Sequence, residues 1–128
     1  MFALRVCPPY FSGLFNRRLK DDSEVQIETT QNGSSFDASM MQNGQQIGSL
    51  EAGVYTDESM IFWVESQQQG KGCGHALVDT FVQHLDPGNE IHLASSPQNE
   101  GFWAKLGFKK GNGPSMSAKA GDVSKYPY

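Results

Sequence analysis

The stretch QQQGKGCGHALVDTF, from Gln67 to Phe81, carries glycine at three alternate positions and then an apolar pattern of helical period. Glycine adopts backbone conformations that side chains forbid and leaves the main-chain amides uncovered. Such a loop before a helix suits an anion, because the first amides of a helix have no internal acceptor and lie at the positive end of its dipole. A plain turn would use glycine in the same way, so the loop needs support from other motifs.

Two familiar phosphate-binding loops are excluded by the residues at this site. A nucleotide P-loop places Ser or Thr after Gly-Lys, whereas Lys71 is followed by Gly72. A dinucleotide-binding fingerprint requires glycine where His75 stands.

The hydrophobic pattern predicts one α/β domain over residues 1–128, with strands on both sides of the glycine loop. Asn43-Gly44 predicts a tight hairpin turn, Gly107 a helix C-cap, and the tail 120–128 shows no readable structure. The predicted strands are Phe2–Val6, Glu24–Thr30, Phe36–Gln42, Gln45–Tyr55, Ser59–Val64, Glu90–Ala94, 108–111 and 115–120. The predicted helices are Pro8–Lys20, His75–Leu85 and Gln98–Gly107.

Charge and composition narrow the class of protein. A net charge of −4 and a pI near 5.2 disfavour a nucleic-acid binder, and the basic cluster Asn16–Lys20 is interpreted as a solvated helix end. No apolar run has the length of a membrane span. Cys7 and Cys73 are interpreted as reduced thiols, Cys73 as a small hydrophobe, in a cytoplasmic protein.

Two motifs in order resemble the GNAT superfamily of acyl-CoA-dependent N-acyltransferases. The segment Gln69–Gly74 matches the family's Gln/Arg-x-x-Gly-x-Gly/Ala loop, and Asn99–Phe108, NEGFWAKLGF, resembles its second signature. The resemblance covers about residues 36–116. It implies a mixed, mostly antiparallel sheet with helices on both faces and a V-shaped gap between the strands Ser59–Val64 and Glu90–Ala94.

The resemblance also implies acetyl-CoA as cosubstrate and an amine of unknown identity as acceptor. No metal site is expected, because His75 and His84 are nine positions apart and fall on opposite faces of the predicted helix. The gap would hold the pantetheine arm and the loop amides the diphosphate, while Phe62 and Trp63 are expected to belong first to the core. The cofactor-binding residues implied are Trp63, Val64, Gln69, Gly70, Lys71, Gly72, Cys73, Gly74, His75, Asn99 and Trp103.

The catalytic residues are less completely specified. Many family members carry a carboxylate base at the start of the strand before the loop, where Glu58 stands; Glu51 is the second choice. The family's usual acid, a tyrosine in the second signature, is replaced by Trp103, whose indole N–H is no useful acid. Tyr55, Tyr126 or water are the alternatives for that role.

The N-terminal part departs from the family pattern. Either the segment Pro8–Lys20 is one shortened helix, or the strand Glu24–Thr30 comes first and the family's two early helices are absent. The acceptor site would then be open or completed by a partner, and a homodimer is one possibility. The function predicted is acetyl transfer to an amine, with a non-catalytic GNAT-like binding module as the alternative.

Overall fold

The computed structural model describes residues 10–68 and 70–126, and within them one eight-stranded sheet has the order β1-β2-β3-β4-β5-β6-β8-β7. The strands are β1 Tyr10–Arg18, β2 Glu24–Asn32, β3 Ser35–Gln42, β4 Gln45–Val54, β5 Glu58–Ser66, β6 Glu90–Ala94, β7 Lys109–Lys110 and β8 Ser115–Lys119. Two α-helices, α1 (Cys73–Val82) and α2 (Glu100–Lys105), accompany them, with 3-10 turns at Pro97–Asn99 and Ala120–Asp122. Only the β5–β6 pair is parallel among these strands. The predicted mixed, mostly antiparallel α/β fold is confirmed; the predicted strand Phe2–Val6 lies outside the described residues.

The predicted helix Pro8–Lys20 is wrong over its described part, which forms strand β1 paired along its whole length with β2. Phe15 and Leu19 have the i, i+4 spacing of a helix face, but residues four apart also share one face of a strand. Both side chains contact the core, so the apolar pattern alone does not distinguish the two structures. The basic cluster Asn16–Lys20 therefore lies at the end of a strand and not at the end of a helix.

Several local predictions are confirmed. Asn43 and Gly44 adopt φ of 53° and 81° in the β3–β4 hairpin, as the tight turn requires. Helix α1 buries Val78 and Phe81 completely, and Gly107 follows α2 with φ of 106°. The two α-helices of the described residues have ten and six residues and are too short to cross a bilayer.

One face of the central strands is covered and the other is not. Helix α1 packs on β3, β4 and β5, where the rings of Phe36 and Phe81 lie 5.0 Å apart. On the opposite side, Glu28, Asp37 and Glu51 are exposed. We call this solvent-exposed side of β2–β5 the open face.

The expectation that Phe62 and Trp63 belong to the core is wrong: 57% and 54% of their surfaces are exposed. A β-bulge pairs Ala52 with Ile61 and Glu51 with Trp63, so that Phe62 has no opposite residue. A continuous apolar strand is buried throughout only where both faces of its sheet are covered. Here α1 covers one face, and half of the apolar strand meets solvent.

The two faces should respond differently to loss of a phenylalanine ring. Phe36→Ala should lower the free energy of unfolding by about 3–5 kcal/mol, because it leaves a cavity against Phe81. The matched substitution Phe62→Ala on the open face should change it by no more than about 0.5 kcal/mol. Urea denaturation measures both. A comparable loss in the two variants would mean that the open face is covered.

Candidate functional site

The two central parallel strands separate soon after they meet. β5 and β6 pair only from Glu58↔Glu90 to Met60↔His92, while β5 continues to Ser66. At the paired end, the buried Ser59 hydroxyl donates a 2.8 Å hydrogen bond to the Asn89 side chain. On its other edge, β6 pairs with β8 at all five residues. The strands are thus joined at one end and apart at the other, as the predicted V-shaped gap requires.

A cleft of about 450 Å³ lies at the open end of this gap. Eight of the residues predicted to bind the cofactor line it: Val64, Gly70, Gly72, Cys73, Gly74, His75, Asn99 and Trp103. Five other lining residues were not predicted from the sequence: Lys20, Ser66, Gln68, Phe102 and Lys105. The cleft therefore combines the end of β5, the glycine loop, the first turn of α1 and one side of α2.

The glycine loop presents the N-terminus of α1 to the cleft. Gly70 and Gly72 have φ of 77° and 85°, and Gly72 is the N-cap, which carries no side chain to accept a hydrogen bond from the first turn. The amides of Cys73, Gly74 and His75 precede the first intrahelical bond, which Ala76 N donates to Gly72 O. These amides can donate to an anion bound in the cleft.

Gly74 has a further reason to lack a side chain. A Cβ at this position would lie 3.0 Å from Cζ of Phe102, so the ring of Phe102 packs directly on the helix backbone. Trp103 is buried beside it, with ring centroids 4.9 Å from Phe102 and 5.3 Å from Phe108. The aromatic pair of the second signature thus forms the wall facing the glycine loop.

Lys71 lies outside the cleft lining. Its ammonium group is 3.0 Å from an Asp21 carboxylate oxygen, and its carbonyl accepts a 3.0 Å hydrogen bond from Lys20 N. Hydrogen bonds from Ser23, followed by this ion pair, hold the pKa of Asp21 below its usual range. The lysines that line the cleft are Lys20 and Lys105. Lys20 could not be found by sequence reasoning, because only the β1–β2 hairpin brings it to the loop.

The segment Val123–Tyr126, part of the tail predicted to lack structure, packs behind the glycine loop. The Ser124 carbonyl is 2.8 Å from Nε2 of His75, and the Tyr126 ring meets the His75 ring edge-on at 5.3 Å. The Tyr126 hydroxyl donates a 2.9 Å bond to the Arg18 carbonyl, and burial raises the pKa of this phenol. A Cβ on Gly72 would lie 2.7 Å from the Tyr126 ring. The loop conformation is therefore fixed from behind by Tyr126.

A buried ion pair fastens this arrangement to the sheet. Nη2 of Arg17 lies 2.7 Å from a carboxylate oxygen of Asp79, and the Asp79 side chain is only 2% exposed. Nη1 of Arg17 donates a 3.2 Å hydrogen bond to the Tyr126 carbonyl. Breaking such a pair leaves an uncompensated buried charge. Arg17 thus connects β1, helix α1 and the segment behind the loop.

The remaining predicted residues lie elsewhere. Trp63 is on the open face, opposite Glu51, and does not line the cleft. Glu58 is exposed at the start of β5, where the two strands are still paired. Gln69 falls outside the described residues.

Comparison with known proteins agrees with this geometry. Residues 14–120 match the sequence profile described as the acetyltransferase (GNAT) domain, and a search of curated proteins gives no match. The structure is similar to the ribosomal-protein-S18-alanine N-acetyltransferase from Escherichia coli, with 18% identity, 77% of each chain covered and a TM-score of 0.62. It is also similar to the PaiA N-acetyltransferase from Thermoplasma acidophilum in complex with coenzyme A, with 18% identity, 68% of this chain and 62% of that chain covered, and a TM-score of 0.58. At these identities the likeness shows a shared fold.

The contacts of Tyr126 predict that it positions the glycine loop. Tyr126→Ala should weaken coenzyme A binding about tenfold, a loss of about 1.4 kcal/mol, because the loop loses the ring that packs against Gly72 and His75. Tyr126→Phe keeps the ring and should stay within about threefold of the parent. Isothermal titration with coenzyme A measures both, with Leu14→Ala, at an exposed side chain of β1 outside the cleft lining, as the control. Unchanged affinity in Tyr126→Ala would contradict the positioning role.

Proposed function

Because the chain belongs to the GNAT acetyltransferase family, we propose that it transfers an acetyl group from acetyl-CoA directly to a primary amine. The observation that carries this proposal is the separation of β5 from β6 after Met60, at a place where the gap leads into the cleft under α1. A substrate that is long, extended and anionic at one end can occupy the gap between β5 and β6 and the cleft under α1 at the same time.

The residues present suit acetyl-CoA. The edge of β5 that faces β6 has no strand partner from residue 61 to Ser66 in the described part of the chain. This unpaired edge is about 20 Å long. Free strand edges pair with extended ligands through main-chain hydrogen bonds, and the pantetheine arm carries two amides. The first-turn amides of α1 would receive the diphosphate, with Lys20 and Lys105 adding positive charge.

Transfer to an amine requires that the amine be neutral. A lysine-type amine has a pKa near 10.4, so a base must remove its proton at neutral pH. We assign this role to Glu58, which is exposed and shares its side of β5 with Met60, the last paired residue before the gap. Glu51, exposed beside Trp63 at the bulge, is the second candidate.

The leaving thiolate needs a hydrogen-bond donor or a proton. Tyr126 is unsuited to this role because its hydroxyl already donates to the Arg18 carbonyl, and Trp103 is buried in the aromatic wall. Tyr55, 47% exposed with its hydroxyl over Gly53, or solvent would supply the proton. Cys73 is 1% exposed and takes no covalent part in the proposed transfer.

The second candidate function is a non-catalytic domain that binds acetyl-CoA and acts through a protein partner. The observation that favours it is Trp103, which occupies the position of the family's tyrosine. Mass spectrometry of reactions with acetyl-CoA and a panel of amines and peptides separates the two: an acceptor gaining one acetyl group supports transfer, and bound acetyl-CoA with no modified acceptor supports the binding module.

Acetyl-CoA should raise the melting temperature, since a ligand held at a hundredfold of its Kd stabilises the folded state by about 2.7 kcal/mol. The double variant Lys20→Glu with Lys105→Glu should lose most of this shift, because it puts negative charge beside the bound phosphates. Lys109→Glu, an exposed lysine outside the cleft lining, is the matched control. Differential scanning calorimetry measures the shift. Its absence from the parent protein at millimolar acetyl-CoA would refute the proposed function.

Replacing the proposed base should separate catalysis from cofactor binding. Glu58→Gln should lower kcat at least about a hundredfold at pH 7 and leave the Kd for acetyl-CoA within about twofold, because the carboxylate faces only the amine. Glu51→Gln is the comparison variant, because Glu51 is the second candidate for the base. Steady-state kinetics of the parent should show kcat/KM rising with pH. If Glu51→Gln is the slow variant and Glu58→Gln is not, the base is Glu51.

A further inference from the structure

Charge is strongly segregated along this chain. No Lys, Arg or His occurs between Lys20 and Lys71, yet that stretch contains nine of the chain's 14 carboxyl side chains. It contains all of strands β2–β5, the centre of the sheet. The charged side chains that this region contributes to the surface are therefore all negative.

The open face concentrates this charge. Glu28, Asp37, Glu51, Glu58 and Glu65 are all exposed, and Asp37 lies directly opposite Glu51 in the β3–β4 register. Like charges at opposed positions destabilise a sheet. No side-chain hydrogen bond or ion pair joins any of these five carboxylates to another residue within the described ranges 10–68 and 70–126. Their negative potential is therefore directed to whatever approaches the face.

Large apolar side chains share this region. Met60, Phe62, Trp63 and Tyr55 are between 38% and 57% exposed. The rings of Tyr55 and Phe62 both approach Gly53, where a Cβ would lie 2.7 Å from the tyrosine oxygen and 3.1 Å from the phenylalanine ring. Met60 is the last residue of β5 that pairs with β6, and Phe62 and Trp63 follow it. It is thus next to the proposed site of acetyl transfer.

We propose that the open face docks a basic polypeptide segment and presents one of its amines for acetylation. The inference rests on the proposed function and adds the class of acceptor. Lys and Arg side chains complement the carboxylates and can also lie over the exposed aromatic rings. Their aliphatic stems would cover the apolar patch.

Other occupants fit the surface less well. A small polyamine would satisfy the charges, but small-molecule sites are concave, and it would leave the four large apolar side chains exposed. A second copy of the chain, with net charge −4, would bring a like-charged face against this one. Nucleic acid and anionic lipid are repelled by the same carboxylates. A polypeptide has both the length and the mixed chemistry to cover carboxylates on four neighbouring strands.

The test compares matched peptides and two charge-neutralising variants. Fluorescein-labelled 12-residue peptides with one free amine and either four Arg or four Gln at the same positions serve as probes, with spermidine as the small-molecule competitor. Fluorescence anisotropy measures docking and mass spectrometry measures acetylation. The double variant Glu28→Gln with Asp37→Asn removes two charges that are outside the proposed catalytic residues. Asp86→Asn with Asp122→Asn removes two exposed charges outside strands β2–β5 and is the control.

We expect the arginine peptide to bind and be acetylated in preference to the glutamine peptide, with a KM that rises with salt. The double variant should raise this KM about three- to tenfold with kcat and the Kd for acetyl-CoA unchanged, and the control should match the parent. Equal use of both peptides, or a higher kcat/KM for spermidine, would overturn the docking inference while leaving acetyl transfer intact. Binding of the arginine peptide with no acetylation of either peptide or of spermidine would sustain docking and refute the proposed function.

Discussion

Two parallel strands at the centre of the sheet, β5 and β6, hydrogen-bond at three consecutive positions and then part. The paired end is fixed by the Ser59–Asn89 hydrogen bond, and β6 is held along its whole length by antiparallel pairing with β8. Beyond the three paired positions, among the described strands, β5 is hydrogen-bonded only to β4 and β6 only to β8. The free main-chain groups this leaves would be costly if they met nothing but apolar side chains. The cleft, the glycine loop and the wall from α2 are all arranged around this gap.

The sequence predicted the elements whose signals are local. Asn43-Gly44 specifies its turn by the positive φ that both residues adopt, and the apolar spacing of Val78 and Phe81 specifies the buried side of α1. The glycines at positions 70–74 located the cleft, because a loop that must expose its amides needs those residues at those places. A family resemblance then related the loop to the second signature, which forms the opposite wall.

The features that were missed depend on contacts between distant segments. Phe15 has a spacing that is compatible with a helix or a strand, and only the partner strand β2 decides between them. Phe62 and Trp63 look like core residues until one knows that a single layer of helix covers β5. Lys20 reaches the cleft through a hairpin, and Tyr126 reaches the loop across the molecule. No pattern within a short window of sequence contains this information.

The segment behind the glycine loop also bears on how the molecule folds. Arg17 and Arg18 contact Tyr126 across sequence separations of 109 and 108 residues, and the Tyr126 ring packs against Gly72 and His75 at the start of α1. Contacts of such long range require the closure of a very large chain loop, which is slow compared with forming a hairpin or a helix. The β2–β3–β4 hairpins can form from neighbouring residues alone. We therefore expect the glycine loop to reach its final conformation only after the β2–β3–β4 hairpins have formed.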